Sequence, residues 1–219
     1  MNEGGAGVLD NGETAKASGL LQAWLNRTAT DNVWQQAANA VALLVGSSQP
    51  FYPLGIVWII GEPGWAASVA WATTPVFLAV PFVCHVSAVL GRLLLVLAGT
   101  LVTLLVVLRL GPGCWVEAYY IPVLLVAALL FRVGEEGPRR LALALPIAAF
   151  VMGRLGAGPD VAEAGRLWLL HMGGALGLSL YVLFVYRQAR RGSATLQASS
   201  DSAKQMDRNS SEPFRGDHG

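Results

Sequence analysis

The chain has 219 residues and a formal net charge of +1, with 54% of its residues hydrophobic and only 13% charged. Soluble domains carry about a quarter charged residues, so this composition, with a mean hydropathy of +0.50, excludes an ordinary soluble globule. The near-zero net charge also removes the footprint that nucleic-acid binding requires, leaving an all-α polytopic membrane protein as the expected class.

Residues 1–17 are Gly-rich and polar and are expected to be disordered. Over 18–35, "SGLLQAWLNR" predicts a short interfacial helix, with Ser18 as its cap and Leu20, Leu21, Trp24 and Leu25 on one apolar face. No apolar h-region of a signal peptide precedes residue 36, so the first span is expected to act as its own insertion signal.

A bilayer core of about 30 Å takes about 20 helical residues. The apolar runs then predict a bundle of six spans over residues 36–191, at about 36–60, 65–88, 93–108, 115–131, 141–155 and 167–186. The fifth is short and runs into the Gly-rich "GRLGAGPD". Residues 192–219 have almost nothing apolar to bury and are expected to be a disordered cytoplasmic tail.

The basic residues orient this arrangement. With the N-terminus inside, inner segments hold Lys16, Arg27, Arg92, Arg132, Arg139, Arg140, Arg187, Arg190 and Arg191, and outer loops hold Arg109, Arg154 and Arg166. That bias places both termini in the cytoplasm, with a bacterial inner membrane as the expected location.

Within the first span, "GSSQPFYPLG" places Ser47, Ser48 and Gln49 beside two prolines. Prolines remove backbone donors, which leaves two readings open: a discontinuous helix at a substrate site or an ordinary kink. The second span, with Thr73, Thr74, Pro75 and Pro81, invites the same pair of readings. Cys84 and Cys114 lie in or beside apolar runs without metal-site spacing and are expected to be small buried hydrophobes.

The outer hairpin between spans three and four reads "LGPGCWVEAYYIP". Gly111, Pro112 and Gly113 suit a tight turn, so Arg109 and Glu117 are expected to face one another across it. Trp115, Tyr119 and Tyr120 stand where an aromatic belt belongs. His171 lies roughly 8 Å into span six at 1.5 Å per residue from Arg166. An ionisable group at that depth is a functional candidate. Glu117, His171, Arg109, Tyr119 and Tyr120 therefore form a candidate ligand mouth, against the plainer alternative of belt and rim. Gly173 and Gly177 form a GxxxG expected to pack helices, within the bundle or across a homodimer.

Enzyme motifs such as HExxH, GxSxG, Walker A and GxGxxG do not occur in the sequence. No catalytic residue, metal ligand or cofactor is expected, and "EEGPRR" reads as a solvated loop.

The sequences "LGPGCWVEAYYIPVLLVAALLF", "EEGPRRLALALP" and "LYVLFVYRQARRGSATL" together resemble the N-terminal six-span membrane-sensor module of bacterial class III adenylate cyclases and some sensor histidine kinases. Leu110, Gly111, Glu117, Pro122 and Phe131 carry the outline, over roughly residues 36–192. The resemblance implies a sensor in signal transduction whose last helix drives an effector. No catalytic domain follows Arg191, so the expected protein is non-enzymatic and acts through a homodimer or a separate cytoplasmic effector. A small transporter or a structural membrane subunit is the alternative.

Overall fold

A computed structural model describes residues 32–61, 64–132, 134–156 and 164–211. The expected N-terminal segment 1–17, and the interfacial helix except for residues 32–35, lie outside these. Every regular element among the described residues is helical.

The first helix, α1 (Val33–Ser48), starts where the Asn32 side chain accepts the Trp34 N–H at 3.2 Å. A 3₁₀ turn over Gln49–Phe51 joins it to α2 (Tyr52–Ile60). Gln49 and Tyr52 both keep right-handed helical dihedrals, so the chain continues through Pro50 as a kinked helix. Of the two readings of this segment, the local geometry is that of a kink.

The next helix, α3 (Gly64–Val86), contains Pro75 and Pro81. The Thr73 and Thr74 hydroxyls donate back to Val69 and Ala70 carbonyls at 2.8 and 2.7 Å in the turn preceding Pro75, a bond type that bends helices. Ser87 alone separates α3 from α4 (Ala88–Leu110), and its hydroxyl accepts the Leu90 N–H at 3.3 Å. So short a joint presses the two helices together at Gly91, where a Cβ would lie 2.8 Å from the Cys84 amide nitrogen.

Two 3₁₀ turns, Pro112–Cys114 and Val116–Tyr119, lead into α5 (Tyr120–Leu129). Then follow α6 (Glu136–Gly156), a 3₁₀ turn over Ala164–Leu167, and α7 (Trp168–Ser211). The expected tail from 192 is thus helical to Ser211. Residues 193–211 include Ala, Leu, Gln, Lys and Met, all good helix formers, with proline only at Pro213.

Neighbouring helices close a ring in the order α1, α3, α4, α6, α5, α7 and back to α1, while α4 also touches α5. One end of the bundle is marked by Trp34 against Tyr186, ring centroids 5.7 Å apart, and by the Arg132 guanidinium donating to the Asn32 side chain at 2.9 Å. The other end is marked by Tyr52 and the Cys114 carbonyl meeting at His171.

Four segments are long and apolar enough to cross a membrane: Val33–Ile59, Ser68–Val86, Ala88–Leu110 and Gly165–Thr195. Two of the expected six fall short of that standard. The apolar stretch containing α5, Val116–Leu129, is too short, and α6 is uncharged only from Leu141 to Gly153. Large apolar side chains cover the outside of the helices, among them Trp58, Trp71, Leu101, Ile147, Leu176 and Leu180. Such a surface suits hydrocarbon rather than water.

Arg92 departs most from its expected place. It is expected in an inner loop, but because Ser87 starts α4 early, Arg92 falls in the second turn of a helix and is 1% exposed. Its guanidinium donates to the Leu130 carbonyl at 2.6 Å, to Glu135 Oε1 at 2.7 Å and to the Ala88 carbonyl at 2.8 Å, and lies over the Phe131 ring. Glu135, expected in a solvated loop, closes this network, while Arg140 and Glu136 pair exposed on the surface.

Candidate functional site

Two apolar clusters fill the bundle. One includes Val41, Phe77, Val96, Val126 and Val182, and the other, nearer the His171 end, includes Ile56, Val106, Leu110, Cys114 and Val116. Residues of both clusters wall a cavity of about 440 Å³. Valines and leucines, chiefly from α1, α4 and α5 with Leu170 and Leu178 from α7, form just over half of its lining. Ser48, Gln49, Tyr52 and Tyr119 bring polar groups to it, and Thr103 adds a hydroxyl already donated to the Gly99 carbonyl at 2.8 Å. An apolar chamber with a few polar groups is the usual form of a small-molecule site.

His171 stands behind this cavity and is fully buried. Its Nδ1 is 2.6 Å from the Cys114 carbonyl and its Nε2 3.0 Å from the Tyr52 hydroxyl. Because the carbonyl can only accept, Nδ1 carries a proton, and in the neutral ring Nε2 accepts from Tyr52. The Tyr52 and Tyr119 rings flank the imidazole at 5.9 and 6.1 Å. Tyr119 also reaches Gly174 on α7, where any Cβ would collide with its hydroxyl.

The expected mouth is therefore divided. Tyr119 lines the central cavity and His171 stands behind its Tyr52 wall, whereas Glu117 and Tyr120 line a separate groove between α5 and α6. Consecutive helical residues point about 100–120° apart, which sends Tyr119, the last residue of the 3₁₀ turn, and Tyr120, the first of α5, in different directions. Both His171 nitrogens are engaged by Tyr52 and Cys114, and Glu117 is not among their partners. Glu117 pairs with Arg154 rather than Arg109, and Arg109 is exposed at the end of α4. Arg154 reaches Glu117 because α6 packs beside α5 and remains helical to Gly156.

Trp115, in the same hairpin, has φ 62°, the one positive value outside glycine among the described residues. This left-handed residue joins the two 3₁₀ turns and leaves its ring exposed at the groove. Such strain is of order 1–3 kcal/mol and persists only where surrounding structure enforces it.

Gly173 and Gly177 do not pack the bundle. A Cβ on either would meet nothing within 4 Å, and the helix contact falls to Gly174 instead. Ser47 and Ser48 donate to the Leu44 and Val45 carbonyls of their own helix at 3.0 and 2.8 Å. Among the described residues no three His, Cys, Asp or Glu side chains converge as a metal site requires.

Tyr52, Arg154 and Glu135 are the polar partners that sequence reasoning missed. For Tyr52 the available signal was a phenol set between Pro50 and Pro53 in an otherwise apolar span. For Arg154 it was a lone cation at the Glu117 end of the bundle. The chain matches no family model, curated protein or solved structure.

Proposed function

We propose that this chain is a non-catalytic membrane sensor that takes an apolar ligand with a polar head into the central cavity and signals to a separate cytoplasmic effector through α7. The observation carrying this reading is the double role of α7. Its early turns line the cavity with Leu170, Gly174 and Leu178 and seat His171 behind Tyr52. The same helix continues unbroken to Ser211, a total of 44 residues. At 1.5 Å per residue this is about 66 Å, roughly twice the hydrocarbon core. A shift at the cavity then displaces the far end of one stiff element.

The proposal includes six crossings of a bacterial inner membrane with cytoplasmic termini. It is supported by the back-and-forth course of six helical segments, with the 3₁₀ turns extending α5. The charges agree: Arg92, Arg132, Arg139, Arg140, Arg187, Arg190 and Arg191 gather at one end, and Arg109, Arg154 and Arg166 at the other. The resemblance of 110–131 and 135–146 to sensor modules points the same way. A permease has less support, because the Ser47 and Ser48 hydroxyls are occupied by their own helix.

The test uses purified protein in nanodiscs with spin labels at Arg139 and Ser193, titrated with isoprenoid quinones, fatty alcohols and monoacyl lipids. Supporting the reading requires a ligand that stabilises the protein, loses its effect in Gly174→Val and changes the distance between labels. Stabilisation with an unchanged distance refutes the relay, and no stabilisation by any of the panel refutes the site.

A further inference from the structure

The groove between α5 and α6 has a volume of about 700 Å³ and is separate from the central cavity. Ile121, Leu124, Ile147 and Phe150 form an apolar slot below Glu117, Tyr120 and Arg154. The polar end is not satisfied from within the described chain. Glu117 engages Arg154 through Oε2, but its buried Oε1 has no hydrogen-bond partner. The Tyr120 hydroxyl also has none, in a residue only 4% exposed. Buried polar atoms are rarely left unpaired, and here two lie three residues apart in one groove. Arg154 remains half exposed over the Phe150 ring, with guanidinium donors beyond the one held by Glu117.

This mouth offers acceptors to a compact, donor-rich cation and donors to an anion, above a slot for hydrocarbon. We infer that the groove binds a phospholipid whose head carries a primary ammonium beside its phosphodiester, an ethanolamine phospholipid. On binding, the Glu117 and Tyr120 side chains turn Oε1 and the hydroxyl, both closed off from the groove in this structure, toward the ammonium, the phosphodiester accepts from Arg154, and an acyl chain follows Ile121, Leu124 and Ile147. A choline head has the same net charge but no N–H, and leaves both acceptors unmet. A phosphoglycerol head can donate through hydroxyls but brings uncompensated negative charge beside Glu117. Selectivity therefore rests on N–H donors rather than on charge alone.

The experiment places the full chain in choline-phospholipid nanodiscs doped with lipids of matched acyl chains whose head amine bears from zero to three methyl groups. Native mass spectrometry reads lipid retention and apparent Kd. Affinity is expected to fall roughly tenfold or more from unmethylated to trimethylated, the scale of a lost charge-assisted hydrogen bond. Glu117→Gln should weaken this preference, since the carboxamide keeps one acceptor but loses the charge that strengthens the bond. Tyr120→Phe should reduce it while folding normally, since that hydroxyl bonds to nothing among the described residues. Equal retention across the methyl series, or a preference unchanged in both variants, overturns the assignment. Free phosphoethanolamine binding choline-lipid discs with the same Kd overturns the lipid as occupant.

Discussion

Removing the charge of Glu135 tests the buried arginine network directly. Arg92 is 1% exposed and Glu135 20% exposed, with 2.7 Å between Nη2 and Oε1. Glu135→Gln keeps the shape but removes the countercharge, and with its oxygen on the Arg132 N–H its NH2 faces Arg92 Nη2 donor to donor. The guanidinium retains the Leu130 and Ala88 carbonyls, so the loss is that of one charged hydrogen bond, about 1.5–3 kcal/mol. Arg92→Met removes the whole cation and three donated bonds, and leaves Glu135 partly hydrated. Its expected cost is about 3–5 kcal/mol, the range for breaking a buried pair. At roughly 2–4 °C per kcal/mol for a chain of this size, Glu135→Gln should lower Tm by about 3–12 °C in detergent. Reversible unfolding of both single variants and the double variant gives a coupling energy, expected to exceed about 1 kcal/mol. Additive losses, or a neutral Glu135→Gln, would show that the pair is water-screened and that burial of Arg92 plays no part in joining α4 to the α5–α6 turn.

Gly91→Ala should destabilise by about 2 kcal/mol or more through overpacking, and Cys84→Ala should not rescue it, because the Cys84 amide and Cα at 2.8 and 2.9 Å remain in the way. Full rescue in thermal unfolding would locate the clash in the thiol alone. His171→Phe leaves the Tyr52 hydroxyl and Cys114 carbonyl without this partner, at about 1–3 kcal/mol for each. Tyr52→Phe should cost less, about 1 kcal/mol; equal costs would contradict the double anchoring. Gly173→Leu and Gly177→Leu should change monomer stability by less than about 0.5 kcal/mol, since their faces are open. A large loss accompanied by a change in cross-linked mass would reveal that a second chain packs there.

The helical class and the positions of the apolar runs were legible in the sequence, because length and hydrophobicity are local properties that a bilayer reads directly. The kink at Pro50 was equally legible as one of two outcomes. The extension of α7 to Ser211 was not, because the residues after Gly192 mix helix formers with Ser, Thr, Asp and Asn and carry no apolar pattern to announce a helix. Ser87 moved the α3–α4 joint several residues earlier than the charge of Arg92 suggested. That shift converted a loop cation into a buried one, which only the meeting of α4 with the α5–α6 turn could reveal.

The candidate site divides along the same line. Sequence singled out Glu117, His171, Tyr119 and Tyr120, since polar residues in apolar surroundings stand out one at a time. Their partners could not be read this way: Tyr52 lies 119 residues from His171, and Arg154 comes from a different helix than Glu117. The rotation of a helix about its axis decides such pairings. It turns Tyr119 inward and Tyr120 aside, and gives the contact with Tyr119 to Gly174 instead of Gly173 or Gly177. That rotation is set by packing across the whole bundle, so chemistry was visible in the sequence while its geometry belonged to the tertiary fold.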